Sequence, residues 1–195
     1  MPGLFRRWSI AALGAAVFCA LPIAAPAQTI GTPERYTANA INMNVSASSP
    51  IEIVVDRWST DAQRDKLMAV VVKDGPDKLL DTLQDLPRMG YFRAPGDVGI
   101  DIHFARKVAL PEGGERVILV TDRRISFAEA ATRPRSIDYP FTVIELRLNA
   151  DGEGEGKMSV ATKIVAETSH NIITLENYDT QPVMLKNVRR ERVSR

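Results

Sequence analysis

The sequence predicts an α+β domain, mainly antiparallel β, with a two-helix insertion packed on the sheet. Three observations carry that expectation. Apolar residues recur with a period of two along most of the chain, in runs divided by short turns rich in Gly, Pro, Asn and Asp. Helical spacing appears in one place only, between residues 60 and 86. No internal repeat, low-complexity tract or long linker divides the chain. About eight strands plus one helical pair therefore make one domain, whose sheet curls into a barrel or packs as a sandwich.

Residues 1–27 read as a cleaved signal peptide. Arg6 and Arg7 form the basic start, Ser9 to Ala20 is almost wholly apolar, and Ala25-Pro26-Ala27 is a small-x-small cleavage site. The apolar run is shorter than the about 20 residues of a membrane span and is broken by Pro22 and Pro26. No transmembrane anchor is therefore expected after cleavage. Ser9 stands where a twin-arginine signal wants an aromatic, which favours general secretion. Phe18 before Cys19 is too bulky for a lipidation site. Cleavage removes two arginines and the only cysteine, turning the formal charge from +1 to −1. The exported chain then has no thiol chemistry and no disulfide, and its near-neutral charge argues against nucleic acid as a partner. The expected location is secreted or periplasmic, in a bacterium. Residues 28–195 form the predicted single β-rich domain.

The elements follow in order. Gln28 to Glu34 is a polar lead-in. Ile41, Met43 and Val45 alternate with polar neighbours as a first strand, and Ala47 to Pro50 reads as a turn. Ile51, Ile53 and Val55 make a second strand ending near Trp58. Thr60 and Gln63 form a capping box that opens a helix near 60–74, with Leu67, Val70 and Val71 on one face and Gly75 at the stop. Pro76 suits the first turn of a second helix near 76–86, which carries Leu79, Leu83 and Leu86 and is closed by Pro87. These leucines are expected to face the protein's own core. Ile100, Ile102 and Phe104 resume the strand pattern. Pro111 to Gly114 is a hairpin turn, and Val117 to Val120 is a strand buried on both faces. Ser126 to Pro134 is an irregular connection. Ile172 to Leu175 and Val183 to Val188 are the last strands, before a basic tail expected to fray.

The central hairpin spans Asp138 to Val165. Placing Asn149 opposite Lys157 pairs Leu148 with Met158, Leu146 with Val160 and Ile144 with Thr162 on one face. Asp151, Glu153 and Glu155 then lie in a glycine-rich tip. A calcium loop would need Glu where Thr162 stands. A phosphate loop would need Ser or Thr where Met158 follows Lys157. A soluble turn accounts for every residue of the tip.

The catalytic candidates are few. Asp101 and His103 stand at i and i+2 and so share a strand face; with His170, the only other histidine, or Glu176 they form a candidate metal or acid–base site. No metal-ligand spacing supports them, so no metal or cofactor is assigned. No Gly-x-Ser-x-Gly elbow is present, and pairs such as Asp122 with Glu129 have no informative spacing. Asp122, Arg123 and Tyr139 are the candidate ligand-binding residues, at the end of one strand and in the segment that leads to the next.

Several stretches together resemble a family of uncharacterised secreted bacterial proteins with no assigned activity. They are Arg57-Trp-Ser-Thr-Asp61, Val120-Thr-Asp-Arg123, Asp138-Tyr-Pro-Phe-Thr142, Gly154-Glu-Gly-Lys157 and Leu175-Glu-Asn-Tyr178. The resemblance implies a shared exported domain over most of residues 34–190 and transfers no catalytic residue. The functional expectation is a non-enzymatic domain that binds a small molecule or an envelope protein. If the strands close into a barrel, an apolar molecule in its mouth is one form of it. The alternative is a metal-assisted hydrolase using Asp101, His103 and His170.

Overall fold

The computed structural model describes residues 33–43, 46–122, 141–167, 172–177 and 181–192. The signal segment, the connection at 126–134, Arg123, Glu129, Tyr139 and His170 lie outside the described residues. The elements in order are β1 (Glu34–Asn42), β2 (Ala47–Val55), α1 (Asp61–Lys73), α2 (Pro76–Gln84), β3 (Gly90–Arg93), β4 (Ile100–Ala109), β5 (Glu115–Thr121), β6 (Phe141–Leu148), β7 (Glu153–Glu167), β8 (Ile172–Asn177) and β9 (Val183–Arg192). Every pairing is antiparallel. The run from β1 to β6 continues to β7 and β9, and β9 returns to β1, so eight strands close into a barrel. The remaining strand, β8, pairs with the half of β7 that runs beyond β9. The choice between barrel and sandwich falls to the barrel.

Alternation sets the barrel interior. Tyr36, Ile53, Phe92, Ile102, Leu119 and Ile144 are among the side chains that fill it, all almost fully buried. The inward face of β1 is opposite to the one that its larger residues suggest. Tyr36, Ala38 and Ala40 point in, whereas Ile41 is 36% and Met43 68% exposed. Small alanines fit because the interior beside them is occupied by Ile51 and Ile53 of the paired strand. Ala47 to Pro50, expected as a turn, are the first residues of β2, and the reversal lies just before them. The short β3 adds a ninth strand to the expected eight.

The helices form where the sequence places them. Thr60 accepts from the Gln63 backbone N–H and the Gln63 side chain accepts from the Thr60 N–H, so the capping box is complete. Gly75, at φ +83°, divides the helices. Both pack on the outside of the barrel, where Leu67, Val71, Leu79, Leu83 and Leu86 meet Val120, Phe141 and Val143 in a second core. The linker between β2 and α1 fills a gap in the wall. The Ser59 N–H donates to Ala105 O, the Ala105 N–H donates to Ser59 Oγ, and Trp58 enters the interior core.

The central hairpin keeps its faces and changes its register. Leu148 pairs with Gly154, Leu146 with Gly156 and Ile144 with Met158, a shift of four residues from the expected pairing. An even shift leaves Met158 and Val160 inward as expected, but a bulge before Thr162 turns that residue to the outer side, opposite Phe141. The loop is short because the Asn149 carboxamide oxygen accepts from the N–H groups of Asp151 and Glu153, both at 3.0 Å. Glu153 and Glu155 therefore belong to β7, not to a flexible tip, and pair with Arg189 and Lys186 of β9. The basic tail is likewise ordered strand through Arg192.

Candidate functional site

Two places on the molecule gather chemistry. The first is at the C-terminal end of α2, where His103 occupies a bulge. Ile102 opposes Thr121 while Phe104 opposes Val120, so His103 is the extra residue of β4. Alternation with inward Ile102 already turns His103 outward under the helix end, and the bulge turns Phe104 outward as well, so that Ala105 is the next inward residue. His103 Nδ1 lies 3.0 Å from the Leu86 carbonyl oxygen, and since a carbonyl only accepts, Nδ1 carries the proton. Nε2 then faces Asp122 Oδ1 at 3.9 Å. Asp122 Oδ2 accepts from Gln84 Nε2 at 3.3 Å, while Oδ1 is buried without a hydrogen-bond partner. Two sequence candidates, His103 and Asp122, thus come together. Asp101, also outward on β4, instead pairs with Arg88 at 3.3 Å and is 53% exposed. Among the described residues no group of three His, Cys, Asp or Glu side chains is arranged to hold a metal.

The second place is a cavity of about 380 Å³ between the helical pair and the outer wall of the barrel. Its floor is Phe104 of β4, Ile118 and Val120 of β5, and Val143 of β6. Leu67 and Val71 of α1 and Leu79 and Leu83 of α2 form its roof, and Ile164 and Leu175 its far side. The lining is overwhelmingly apolar. Its polar residues are Arg64, Arg106, Arg116 and Glu145, all at one end. Strand register explains the segregation. Across the outer wall, Ile118 stands beside Arg106 and Glu145, Val120 beside Phe104 and Val143, so two residues along each strand the wall changes from charged to apolar.

The charged end is an ion-pair cluster. Glu145 draws Arg116 at 3.0 Å, Arg147 at 3.1 Å and Lys157 at 3.6 Å. Burial pushes the Glu145 carboxyl up, but the Arg147 hydrogen bond and the charges of Arg116 and Lys157 outweigh it, holding it below the usual glutamate range. Arg106 donates to Asp61 at 2.8 Å and so ties the start of α1 to the wall. Sequence reasoning missed this site. Its residues come from seven elements, and their only local signal is outward arginines interrupting the strand pattern.

The barrel mouth beside the β4–β5 and β6–β7 turns holds no apolar opening. Glu34, Lys107, Glu115 and Arg190 occupy the positions in phase with the inward side chains of four strands. Lys107 meets Glu34 at 2.6 Å and Arg190 meets Glu115 at 2.6 Å. The Tyr36 hydroxyl donates to Glu34 at 2.6 Å, and the Lys107 ammonium lies 4.6 Å from the centre of the Trp58 ring. Burial and the neighbouring carboxylates push the Tyr36 hydroxyl far above its ordinary titration range. Two cations and two anions thus seal this end, and the apolar cavity under the helical pair lies outside the barrel wall.

No protein-family model, curated protein or solved structure matches the chain. No described helix is long and apolar enough to cross a membrane.

Proposed function

We propose that this chain is an exported, non-enzymatic binding module of the bacterial cell envelope, and that its ligand is a small molecule with a substantial apolar part. The observation that supports this most is the cavity under the helical pair. Its volume of about 380 Å³ falls in the range of small-ligand sites, and its lining is apolar with a few convergent polar groups. A packed domain gains stability by closing such a space, so one of this size and chemistry argues for an occupant. The test is titration of the purified mature protein with a fluorescent hydrocarbon probe. Saturable binding at one site, lost when Leu83→Trp fills the cavity with the fold intact by circular dichroism, supports the reading. No saturable binding in the wild type, or unchanged binding in Leu83→Trp, overturns it.

A metal-assisted hydrolase is the second reading. Its favouring observation is the unpartnered, buried Asp122 oxygen that faces His103 Nε2. Stoichiometric zinc in the purified protein, lost in His103→Ala, would move the assignment there.

A further inference from the structure

The cavity is polarised along its length. Apolar wall lies at the end of Phe104, Val120 and Val143, and guanidinium groups lie at the other. Three arginines and one carboxylate line the space. The neighbouring ion pairs do not cancel that surplus. Among the described residues, adding Asp61 and Asp65, which face Arg64 and Arg106, and Arg147 and Lys157, which face Glu145, leaves five cations against three carboxylates. One donor is also unused. Arg116 Nε is buried and, although 3.0 Å from Glu145 Oε1, lacks the alignment of a hydrogen bond. A buried donor without an acceptor is costly, and an incoming anion would relieve it. Guanidinium forks are well matched to carboxylate and phosphate oxygens.

Resting on the cavity reading above, we infer that the ligand is a single-chain anionic amphiphile. Its hydrocarbon chain lies among Leu79, Leu83, Phe104, Val120 and Val143, and its anionic head is held by Arg106 and Arg116. The volume, near the low end of the range for small-ligand sites, suits one chain. Both a carboxylate and a phosphate head carry the required chemistry. A neutral hydroxyl head of the same length could accept a hydrogen bond but would leave the positive surplus unanswered, and a cationic head would meet that surplus directly.

Four probes with the same 14-carbon chain separate the outcomes: myristate, tetradecyl phosphate, tetradecanol and tetradecyltrimethylammonium. Each is titrated below its micelle concentration against the mature protein, the Arg106→Gln/Arg116→Gln variant and Glu145→Gln. An anion bound about tenfold more tightly than tetradecanol, with that advantage lost in the double variant, supports the inference. The tighter of the two anions then identifies the head group. Because Arg106 also ties down α1, Glu145→Gln supplies a second test that leaves both arginines in place. Removing its negative charge is expected to tighten anion binding several-fold and leave tetradecanol unchanged. Equal affinity for anion and alcohol, preference for the cation, an anion advantage that survives in the double variant, or no gain in Glu145→Gln overturns the anionic head. The first two of those results leave the cavity reading standing. Failure of every probe to bind overturns the cavity reading itself.

Discussion

Glu145 shows how one side chain can serve both the fold and the site. It is the single carboxylate lining the cavity, and Arg116, Arg147 and Lys157 converge on it. Its carboxyl titrates below the ordinary range in the folded protein, so as pH falls the unfolded chain takes up the proton first. The stabilisation is therefore full above about pH 4.3, the ordinary glutamate value, and is lost as pH falls through the lower folded value. In urea unfolding, Glu145→Gln is expected to be less stable than wild type at pH 7 by about 1 kcal/mol, the scale of a partly exposed pair. The gap should close as pH falls below that ordinary value. A gap independent of pH would show that Glu145 stabilises by packing and not by charge. At the same scale, Ser59 does for the barrel wall what a strand residue would do. Its hydroxyl accepts from the buried Ala105 N–H where the ladder has a gap.

Among the elements, β7 bears the most constraint. Its first half is paired on both sides, with β6 and β9, and its second half passes from β9 to β8. Two neighbouring strands close on one strongly bent segment only if the side chains are absent, which is the physical use of Gly154 and Gly156. A Cβ on Gly154 would stand 1.9 Å from the Arg147 carbonyl oxygen. Gly154→Ala is expected to cost at least about 3 kcal/mol or to prevent folding, because backbone must move. Gly113→Ala makes the control: it sits in the β4–β5 turn at φ +92° with open space around it, so it should cost only the left-handed strain of about 1–2 kcal/mol. Equal urea midpoints for the two variants would overturn the crowding account. The helical pair is at the other extreme. In α1 only Leu67 and Val71 are buried, so its half of the cavity roof is held by a light contact.

For the whole molecule, closure is the decisive property. A sheet of this length has two edges unless its ends meet, and β9 joins the barrel's ends by pairing with β1 and β7 together, leaving β8 as the one strand paired on a single side among the described residues. A chain ending after residue 181 is expected to lose cooperative unfolding and to aggregate, since β1 and β7 would then present open edges. A soluble, cooperatively unfolding truncation, seen by calorimetry, would show that closure is dispensable. Glu34, Lys107, Glu115 and Arg190 close one end of the barrel with paired charges, and apolar side chains fill the interior behind them.

Local chemistry was legible from the residues themselves. The capping box at Thr60, the break at Gly75, the turn before Gly114 and the inward set Ile144, Leu146 and Leu148 follow from spacing alone, because each depends on neighbours a few positions away. Residue types also gave no recognisable catalytic motif. The hairpin register was not legible, since Met158 and Gly154 both satisfy the face rule and only the Asn149 loop contacts choose between them. The inward alanines of β1, the bulge that turns Phe104 outward, the meeting of His103 with Asp122, the four-charge seal and the arginine-ended cavity depend on strands far apart in sequence meeting in one register. Sequence alternation says which side chains share a face; only closure of the barrel decides which face is inside and what stands opposite.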